Sequence, residues 1–330
     1  MTTMTYAQAI REGLDEAMRA DDEVFLIGED IGEAGGVFGV TKGLWAKYEE
    51  RVLDTPISEE ALVGAAAGAA LLGGRPVAEI MFSDFSTLAM DMLVNQAAKT
   101  SYMTGGRLSC PMTVRMVTGT AGATAAQHSQ SLEAWFTHTP GLKCVAPSTP
   151  ADAKALIKTA IDDSDPVLFF EHKMLYNLKE EVPDEHDALP LGRGNVVRSG
   201  TDVTIVSYLK TLHEAVKAAQ DLERDGISAE VFDPRSLVPF DREGLGASLE
   251  RTGRLVIAHE APTTNGFGAE IAAIASESFW DLLKGPIVRV CGRDTPVPYA
   301  PELEGFVLPD AQRITESVRR MMPQEVATKA

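Results

Sequence analysis

Short apolar runs alternate with longer amphipathic stretches along the first half of the chain. Apolar runs of strand length occur at residues 24–27, 76–82, 112–117, 142–146 and 167–171. Apolar residues recur at helical spacing in the stretches 6–20, 59–72, 85–101 and 151–162. Because strands that alternate with helices form a parallel sheet covered by helices, this pattern predicts an α/β fold.

A second alternating series follows an interruption. The stretch 179–187 is charged, and Pro190, Gly192 and Gly194 follow it, so we predict a linker over 179–200. Beyond the linker we predict strands at 203–208, 229–232, 255–259 and 287–290, and helices at 213–224, 242–251, 269–283 and 311–321. A chain of 330 residues suits two domains, which we place at 1–178 and 201–330.

Charge and cysteine content narrow the possible functions. The formal net charge of −18 argues against binding to nucleic acid or to an anionic membrane surface. The most apolar window, 61–74, is too short to span a bilayer, and the first residues lack the basic and apolar regions of a signal peptide. Cys110, Cys144 and Cys291 are widely separated, which is typical of a reducing compartment. We therefore expect a cytoplasmic protein.

Several common catalytic motifs are missing from the sequence. Each of the Gly-x-Gly pairs at 192/194, 244/246 and 266/268 lacks the third glycine of a dinucleotide fingerprint. The sequence contains no Walker lysine motif and no Gly-x-Ser-x-Gly elbow, and its histidines show no zinc-like spacing. The sequence therefore gives no motif that supports NAD or ATP binding, a zinc site or serine hydrolase chemistry.

Polar and aromatic residues follow the predicted strands. Glu29 follows the first apolar run, Glu59 opens a helix, Phe85 follows the run at 76–82, and His128 follows a Gly/Ala/Thr-rich loop at 119–126. Since the carboxyl ends of parallel strands form a ligand crevice, we expect these loops to converge. Each residue also has an ordinary explanation: a helix dipole for Glu59, a loop position for His128, and the core for Phe85.

The helix predicted at 59–72 consists mostly of small residues. Gly64 and Gly68 are four residues apart and are surrounded by alanines. Such a surface suits close approach of another backbone. This favours either close packing inside the domain or a subunit interface.

An ordered series of motifs runs from end to end of the chain. The series includes Gly28-Glu29-Asp30, Gly35-Gly36-Val37-Phe38, Asp54-Thr55-Pro56-Ile57-Ser58-Glu59, Asn95-Gln96-Ala97-Ala98-Lys99, Gln127-His128-Ser129-Gln130-Ser131, His138-x-Pro140-Gly141-Leu142-Lys143 and Glu171-His172-Lys173. In these motifs the sequence resembles the β subunits of the thiamin-diphosphate-dependent component of 2-oxo acid and acetoin dehydrogenase complexes.

The resemblance implies a pyrimidine-binding transketolase-like domain followed by a transketolase C-terminal-like domain. It implies an α2β2 heterotetramer with thiamin diphosphate between α and β, acting on a small-molecule substrate and serving a lipoyl-bearing acyltransferase core. The Gly-Asp-Gly…Asn element that holds magnesium and the diphosphate in such enzymes has no Gly-Asp-Gly counterpart here. We therefore expect the α subunit to supply that half of the site.

The same resemblance implies roles for individual residues. Glu59 matches the carboxylate that hydrogen-bonds the aminopyrimidine ring and promotes activation of the cofactor. Phe85 matches the aromatic side chain that stacks on that ring, and Met81 matches a further contact residue. Glu29 resembles an acid of a proton relay between two active sites. His128 resembles the histidine near the substrate and the incoming lipoyl group.

A structural potassium ion is a further implication of the resemblance. In several family members such an ion is bound through carbonyl groups and a carboxylate. The matching positions here are Met112, Ala160, Ile161, Asp163 and Asp165.

The substrate follows from finer features of the resemblance. Met81 and Met92 stand where many pyruvate and branched-chain enzymes have glutamine, and the stretches 39–44, 81–85 and 171–173 look closest to acetoin dehydrogenase β subunits. We expect acetoin first, pyruvate second and branched-chain 2-oxo acids third. Two other classes are considered: a stand-alone thiamin enzyme such as a transketolase, which lacks support without the diphosphate half, and a non-catalytic paralogue.

Overall fold

The chain forms two compact units in a computed structural model that describes residues 1–183 and 188–322. The first unit comprises Met1–Thr120 and Trp135–Leu191, and the second comprises Ala121–Ala134 and the chain from Gly192 onward. The segment 121–134 therefore packs with the C-terminal unit, although it lies between strands of the first unit in sequence. The predicted limits at 178 and 201 stay a prediction, and residues 184–187 of the linker and 323–330 of the second domain lie outside the described residues.

The first unit begins with a strand and alternates as the sequence predicts. Its strands are β1 (Thr2–Thr5), β2 (Val24–Gly28), β3 (Val52–Asp54), β4 (Arg75–Ile80), β5 (Thr113–Thr118), β6 (Lys143–Val145), β7 (Val167–His172) and β8 (Lys179–Val182). Its helices are α1 (Tyr6–Ala20), α2 (Leu44–Tyr48), α3 (Glu59–Leu71), α4 (Ala98–Met103) and α6 (Pro150–Asp162), and α5 (Glu133–Thr137) spans the return of the chain from the second unit.

A parallel sheet in the order β6-β7-β5-β4-β2-β3 forms the centre of the first unit. Gly28 at the end of β2 pairs with Asp54 of β3 and with Glu79 of β4, so these strands end at one edge of the sheet. The residues that follow them, including Glu29 and Met81, are consequently brought to the same edge.

Helices α1 and α6 pack closely against each other in this unit. A Cβ atom at Gly13 would lie 2.4 Å from the side chain of Ile157 and 2.9 Å from the carbonyl oxygen of Lys154, so only glycine permits this approach. A capping box between Thr5 and Gln8 starts α1. The helix pair thereby buries the apolar side chains of α1 in the core of the unit.

The helix predicted at 85–101 is not continuous. It is divided into a 3-10 turn (Ser83–Thr87), a π-helical turn (Met92–Ala97) and α4. The hydroxyl of Ser86 donates to the carbonyl oxygen of Ser83 at 2.5 Å, and the hydroxyl of Thr87 donates to that of Asp84 at 3.1 Å. These local side-chain bonds compete with regular helix formation, and apolar spacing alone does not reveal them.

The second unit repeats the α/β pattern. Its strands are β9 (Asn195–Arg198), β10 (Val203–Ser207), β11 (Ala229–Asp233), β12 (Ser236–Val238), β13 (Leu255–Pro262) and β14 (Val288–Gly292). Its helices are α7 (Lys210–Arg224), α8 (Arg242–Thr252), α9 (Phe267–Ser278), α10 (Pro301–Val307) and α11 (Ala311–Met321). The sheet order is β14-β13-β10-β11-β9, parallel except for β9.

The predicted fold class, two α/β units with parallel sheets, is confirmed. The stretch 179–200 nevertheless contains two strands, since β8 pairs with β1 and β9 pairs with β11. Within residues 1–183 and 188–322, no helix is both long and apolar enough to cross a membrane.

Candidate active site

Glu29 and Glu59 meet at the sheet edge where β2 and β3 end. The backbone N–H of Thr55 donates to the carbonyl oxygen of Gly28 at 2.9 Å, which holds the loop before α3 beside the end of β2. The carboxylate of Glu29 accepts the backbone N–H of Ser58 at 3.0 Å. Burial raises the pKa of Glu29, and the nearby charges of Glu59 and Asp30 raise it further, while the Ser58 hydrogen bond lowers it.

Glu59 is the first residue of α3, and only 4% of it is exposed. Its position at the amino end of the helix stabilises a negative charge through the helix dipole. No other described residue donates a hydrogen bond to its carboxylate or forms an ion pair with it. A buried carboxylate of this kind is suited to receive a donor from a ligand.

Phe85 belongs to a row of aromatic rings. Its ring meets that of Phe82 edge to face, with 5.7 Å between the ring centroids, and Phe82 meets Phe38 in the same way. Phe38 stacks on Tyr176 with 5.1 Å between centroids. Met81 and Phe85 are both partly exposed at the end of β4, so each leaves surface for a ligand.

His128 lies on the segment 121–134 and therefore belongs to the second unit. Its backbone N–H donates to the carbonyl oxygen of Ala125 at 3.5 Å. The hydroxyl groups of Thr124 and Ser129 are 2.6 Å apart and close the turn around it. The structure thus brings Glu29, Glu59, Met81 and Phe85 to the first unit's sheet edge, and His128 belongs to the second unit.

Comparison with known proteins gives matches over both units. Residues 2–179 match the model "Transketolase, pyrimidine binding domain", and residues 192–314 match "Transketolase, C-terminal domain". The acetoin:2,6-dichlorophenolindophenol oxidoreductase subunit beta of Cupriavidus necator is 47% identical over 95% of this chain and 96% of its own. The chain belongs to the β subunits of thiamin-diphosphate-dependent acetoin and 2-oxo acid dehydrogenases.

Other relatives of this β subunit cover it almost completely. The pyruvate dehydrogenase E1 component subunit beta-2, mitochondrial, of Oryza sativa subsp. japonica is 44% identical over 96% of this chain and 86% of its own. A solved structure titled "Split gene transketolase, inactive beta4 tetramer" superposes with a TM-score of 0.80 at 25% identity, covering 96% of this chain and 98% of that one. Sequence and fold therefore agree on the family.

The β subunit contains a buried ionic cluster that the sequence motifs did not predict. Arg115 on β5 donates to both carboxylate oxygens of Glu171 on β7, at 2.6 and 2.8 Å, and to Glu79 on β4. The hydroxyl of Tyr176 donates to Glu171 at 2.8 Å. Burial raises the pKa of Glu79, and Glu171 adds to this effect, whereas Arg115 lowers it. Charged residues inside otherwise apolar strands are the signal that would have revealed the cluster.

Tyr176 joins this cluster to the row of aromatic rings. Its hydroxyl contacts Glu171, and its ring stacks on Phe38. Lys173 also contacts the row, since its ammonium lies 5.0 Å from the centroid of the Phe82 ring and donates to the carbonyl oxygen of Gly119 at 2.5 Å. The row of aromatic rings that includes Phe85 is therefore supported by residues in the interior of the sheet.

The residues matched to a potassium site are partly engaged with protein groups. The ammonium of Lys143 contacts Asp163 at 2.7 Å and Asp165 at 3.1 Å. The carbonyl oxygens of Met112 and Ile161 accept hydrogen bonds from the backbone of Val167 and the side chain of Arg75. Ala160 is buried on α6. Because a carbonyl oxygen has two lone pairs, these groups retain capacity to bind a cation.

Proposed function

We propose that this chain is the β subunit of an acetoin dehydrogenase. With an α subunit and thiamin diphosphate it would cleave the bond between the two oxygen-bearing carbons of acetoin and release one half as acetaldehyde. The other half would pass as an acetyl group to a lipoyl group of an acyltransferase core, whose disulfide is reduced in the same step. The observation behind this choice of substrate is the 47% identity to an acetoin-oxidising enzyme, against 44% to a pyruvate dehydrogenase β subunit. Pyruvate and then branched-chain 2-oxo acids are the alternatives.

The residues present fit the pyrimidine half of a thiamin diphosphate site. Glu59 offers a buried carboxylate without a donor from the described protein residues, and Phe85 offers a partly exposed ring face. Met81 would contact the same ring. Since the sequence has no Gly-Asp-Gly element, the α subunit would hold magnesium and the diphosphate. An inactive β4 assembly of the similar split transketolase supports dependence on an α partner.

When bound, thiamin diphosphate supplies an electron sink for carbon–carbon bond cleavage. The carboxylate of Glu59 would share a proton with the pyrimidine ring nitrogen, and Phe85 would orient the ring by stacking. Glu29, whose carboxylate accepts the N–H of Ser58 next to Glu59, would take up and release a proton in the relay. His128 would donate a proton during transfer to the lipoyl group. Cys110, Cys144 and Cys291 are buried and form no disulfide bond with one another, and on this ground we propose a cytoplasmic location.

Structural potassium belongs to the same proposal. Met112, Ala160, Ile161, Asp163 and Asp165 would hold the ion in place of the Lys143 ammonium, which contacts both carboxylates in this structure. Potassium should raise the thermal midpoint of the αβ complex relative to equal concentrations of sodium or choline. Equal midpoints in the three salts would remove potassium from the proposal.

Activity of the chain alone and with its α subunit tests the proposal. Acetoin, pyruvate and 2-oxoisovalerate would be compared with magnesium, thiamin diphosphate and 2,6-dichlorophenolindophenol as acceptor. We expect turnover only with both chains, and fastest with acetoin. Glu59→Gln should lower turnover by roughly a hundredfold or more, whereas the exposed neighbour substitution Glu60→Gln should not.

Binding of thiamin diphosphate separates the alternatives. Turnover by the β chain alone would indicate a stand-alone thiamin enzyme and contradict the shared site. An αβ complex that does not bind thiamin diphosphate would indicate a non-catalytic paralogue. A complex that binds it but prefers pyruvate or 2-oxoisovalerate would replace acetoin by that substrate.

A further inference from the structure

The segment that bears His128 has an unfavourable backbone conformation. Ala123 and Ala125 have φ angles of +58° and +59°, in the left-handed region that residues with a Cβ rarely adopt. Two non-glycine residues of this kind so close together persist only where surrounding contacts hold them. The contacts that hold this segment therefore decide where His128 lies.

The first of these contacts comes from α10, far away in sequence. The carboxylate of Glu304 accepts the backbone N–H of Ala123 at 3.0 Å. Glu304 is only 8% exposed, and a hydrogen bond to a charged acceptor in such surroundings is stronger than one between neutral groups. This bond fixes one of the left-handed residues directly.

The second contact fixes the other end of the segment. The hydroxyl of Tyr208, at the end of β10, donates to the carboxylate of Glu133 at 2.8 Å, and both residues are buried. The Tyr208 ring stacks on His259 with 5.8 Å between centroids, and Nε2 of His259 accepts the backbone N–H of Gly268 at 3.0 Å. Stacking on His259 thus fixes the Tyr208 ring, and the fixed ring directs the hydroxyl group to Glu133.

A cavity lies against the segment between these two contacts. It has a volume of about 500 Å³, and its lining includes Ala126, Ser129 and Leu132 of the segment and Pro262, Arg293 and Val307 of the rest of the unit. Compared with a close-packed protein interior, side-chain packing on the cavity side of the segment is incomplete. The hydrogen bonds to Glu304 and Tyr208 hold the segment near its two ends, together with the contact between Thr124 and Ser129 inside it.

We propose that Glu304 and Tyr208 are positioning residues for His128, which they hold through Ala123 and Glu133. The C-terminal unit thereby sets the position of a residue that acts in transfer to the lipoyl group. This inference rests on the proposed function for the role of His128. The position of the segment itself does not depend on that role and is measurable separately.

Hydrogen–deuterium exchange of the αβ complex tests the positioning directly. In Glu304→Ala the amides of 121–134 should exchange about tenfold faster, because the bond to Ala123 is lost. Glu304→Gln keeps an acceptor oxygen and should restore most of the protection. Glu302→Ala, an exposed residue on the same helix, is the matched control and should leave exchange unchanged. Unchanged exchange in Glu304→Ala would overturn the proposal.

Kinetics then test whether the positioning matters for His128. Glu304→Ala and Tyr208→Phe should slow transfer to lipoamide about tenfold, with a much smaller effect on reduction of 2,6-dichlorophenolindophenol, which needs no lipoyl group. Equal slowing of both reactions would indicate a merely structural role and contradict the proposal. If the wild-type complex shows neither reaction while exchange responds as expected, the proposed function fails and the positioning stands.

Discussion

The carboxylate of Glu29 accepts the backbone N–H of Ser58 at 3.0 Å, and Ser58 directly precedes Glu59. Two carboxyl groups that are 30 positions apart in sequence are thereby neighbours at the end of β2. Burial favours the protonated form of Glu29, as does the charge of Glu59.

Substitution of Glu29 should therefore change both stability and catalysis. The pKa of Glu29 is raised in the folded state, so Glu29 contributes to stability when it is protonated at low pH. This contribution is lost as the pH rises from the ordinary pKa of a glutamate through the raised pKa of the folded state. Glu29→Gln keeps an acceptor for Ser58, so it should be more stable than wild type at neutral pH and equally stable below pH 4. Urea unfolding across this pH range provides the measurement.

Glu29→Gln should lower turnover, although it stabilises the protein at neutral pH. Loss of the proton on Glu29 should lower kcat of the αβ complex by roughly a hundredfold and remove an ionisation from its pH profile. A variant with wild-type kcat and an unchanged pH profile would exclude Glu29 from the relay.

The ionic cluster around Arg115 predicts opposite results for two substitutions. Arg115→Met leaves Glu79 and Glu171 buried without their cation, and it should cost about 3–5 kcal/mol in unfolding free energy. Glu79→Gln removes the carboxylate whose pKa burial raises, so it should cost little or stabilise the protein at neutral pH. Chemical denaturation of both variants checks this, and equal losses would contradict a raised pKa of Glu79.

The small-residue helix α3 predicts an effect on assembly. A Cβ atom at Gly68 would meet nothing within 4 Å, while Ile57 and Leu72 beside the helix are 83% and 92% exposed. Gly68→Leu should not lower the thermal midpoint of the isolated chain, because leucine has the higher helix propensity. It should weaken association with other chains at least tenfold, by obstructing close backbone approach. Gly285→Leu, which is equally free of neighbours, serves as the control in analytical ultracentrifugation. Normal assembly of Gly68→Leu would favour packing inside the unit.

His259 predicts sensitivity to acid in the second unit. Burial lowers its pKa from 6.5 to about 4, so the unfolded chain binds a proton more readily than the folded one in this range. Stability should fall as pH decreases from 6.5 towards 4, by about 3 kcal/mol from this group. His259→Gln should flatten the dependence, which pH-resolved urea titration would detect. If the unfolding free energy of His259→Gln depends on pH as that of wild type does, groups other than His259 cause the acid sensitivity.

The prediction of a continuous helix at 85–101 is wrong, and the stretch 179–200 that was predicted as a linker contains two strands. In the 3-10 turn at Ser83–Thr87, the hydroxyl groups of Ser86 and Thr87 donate to backbone carbonyl oxygens and compete with a regular helix. The spacing of apolar residues does not reveal such bonds. The short strands β8 and β9 lie in charged, proline- and glycine-containing sequence and form because partner strands β1 and β11 are available. Tertiary pairing thus overrides local composition.

The sequence by itself determined the α/β alternation and the family, because periodicity and motif order are read directly along the chain, and it proposed Glu29, Glu59, Met81 and Phe85 as site residues. The tertiary structure decided which distant groups meet. It placed Glu29 against Ser58, buried Arg115 between Glu79 and Glu171, and assigned the segment with His128 to the C-terminal unit. These relationships depend on strand order and on hydrogen bonds between positions up to 181 residues apart, which no local pattern specifies.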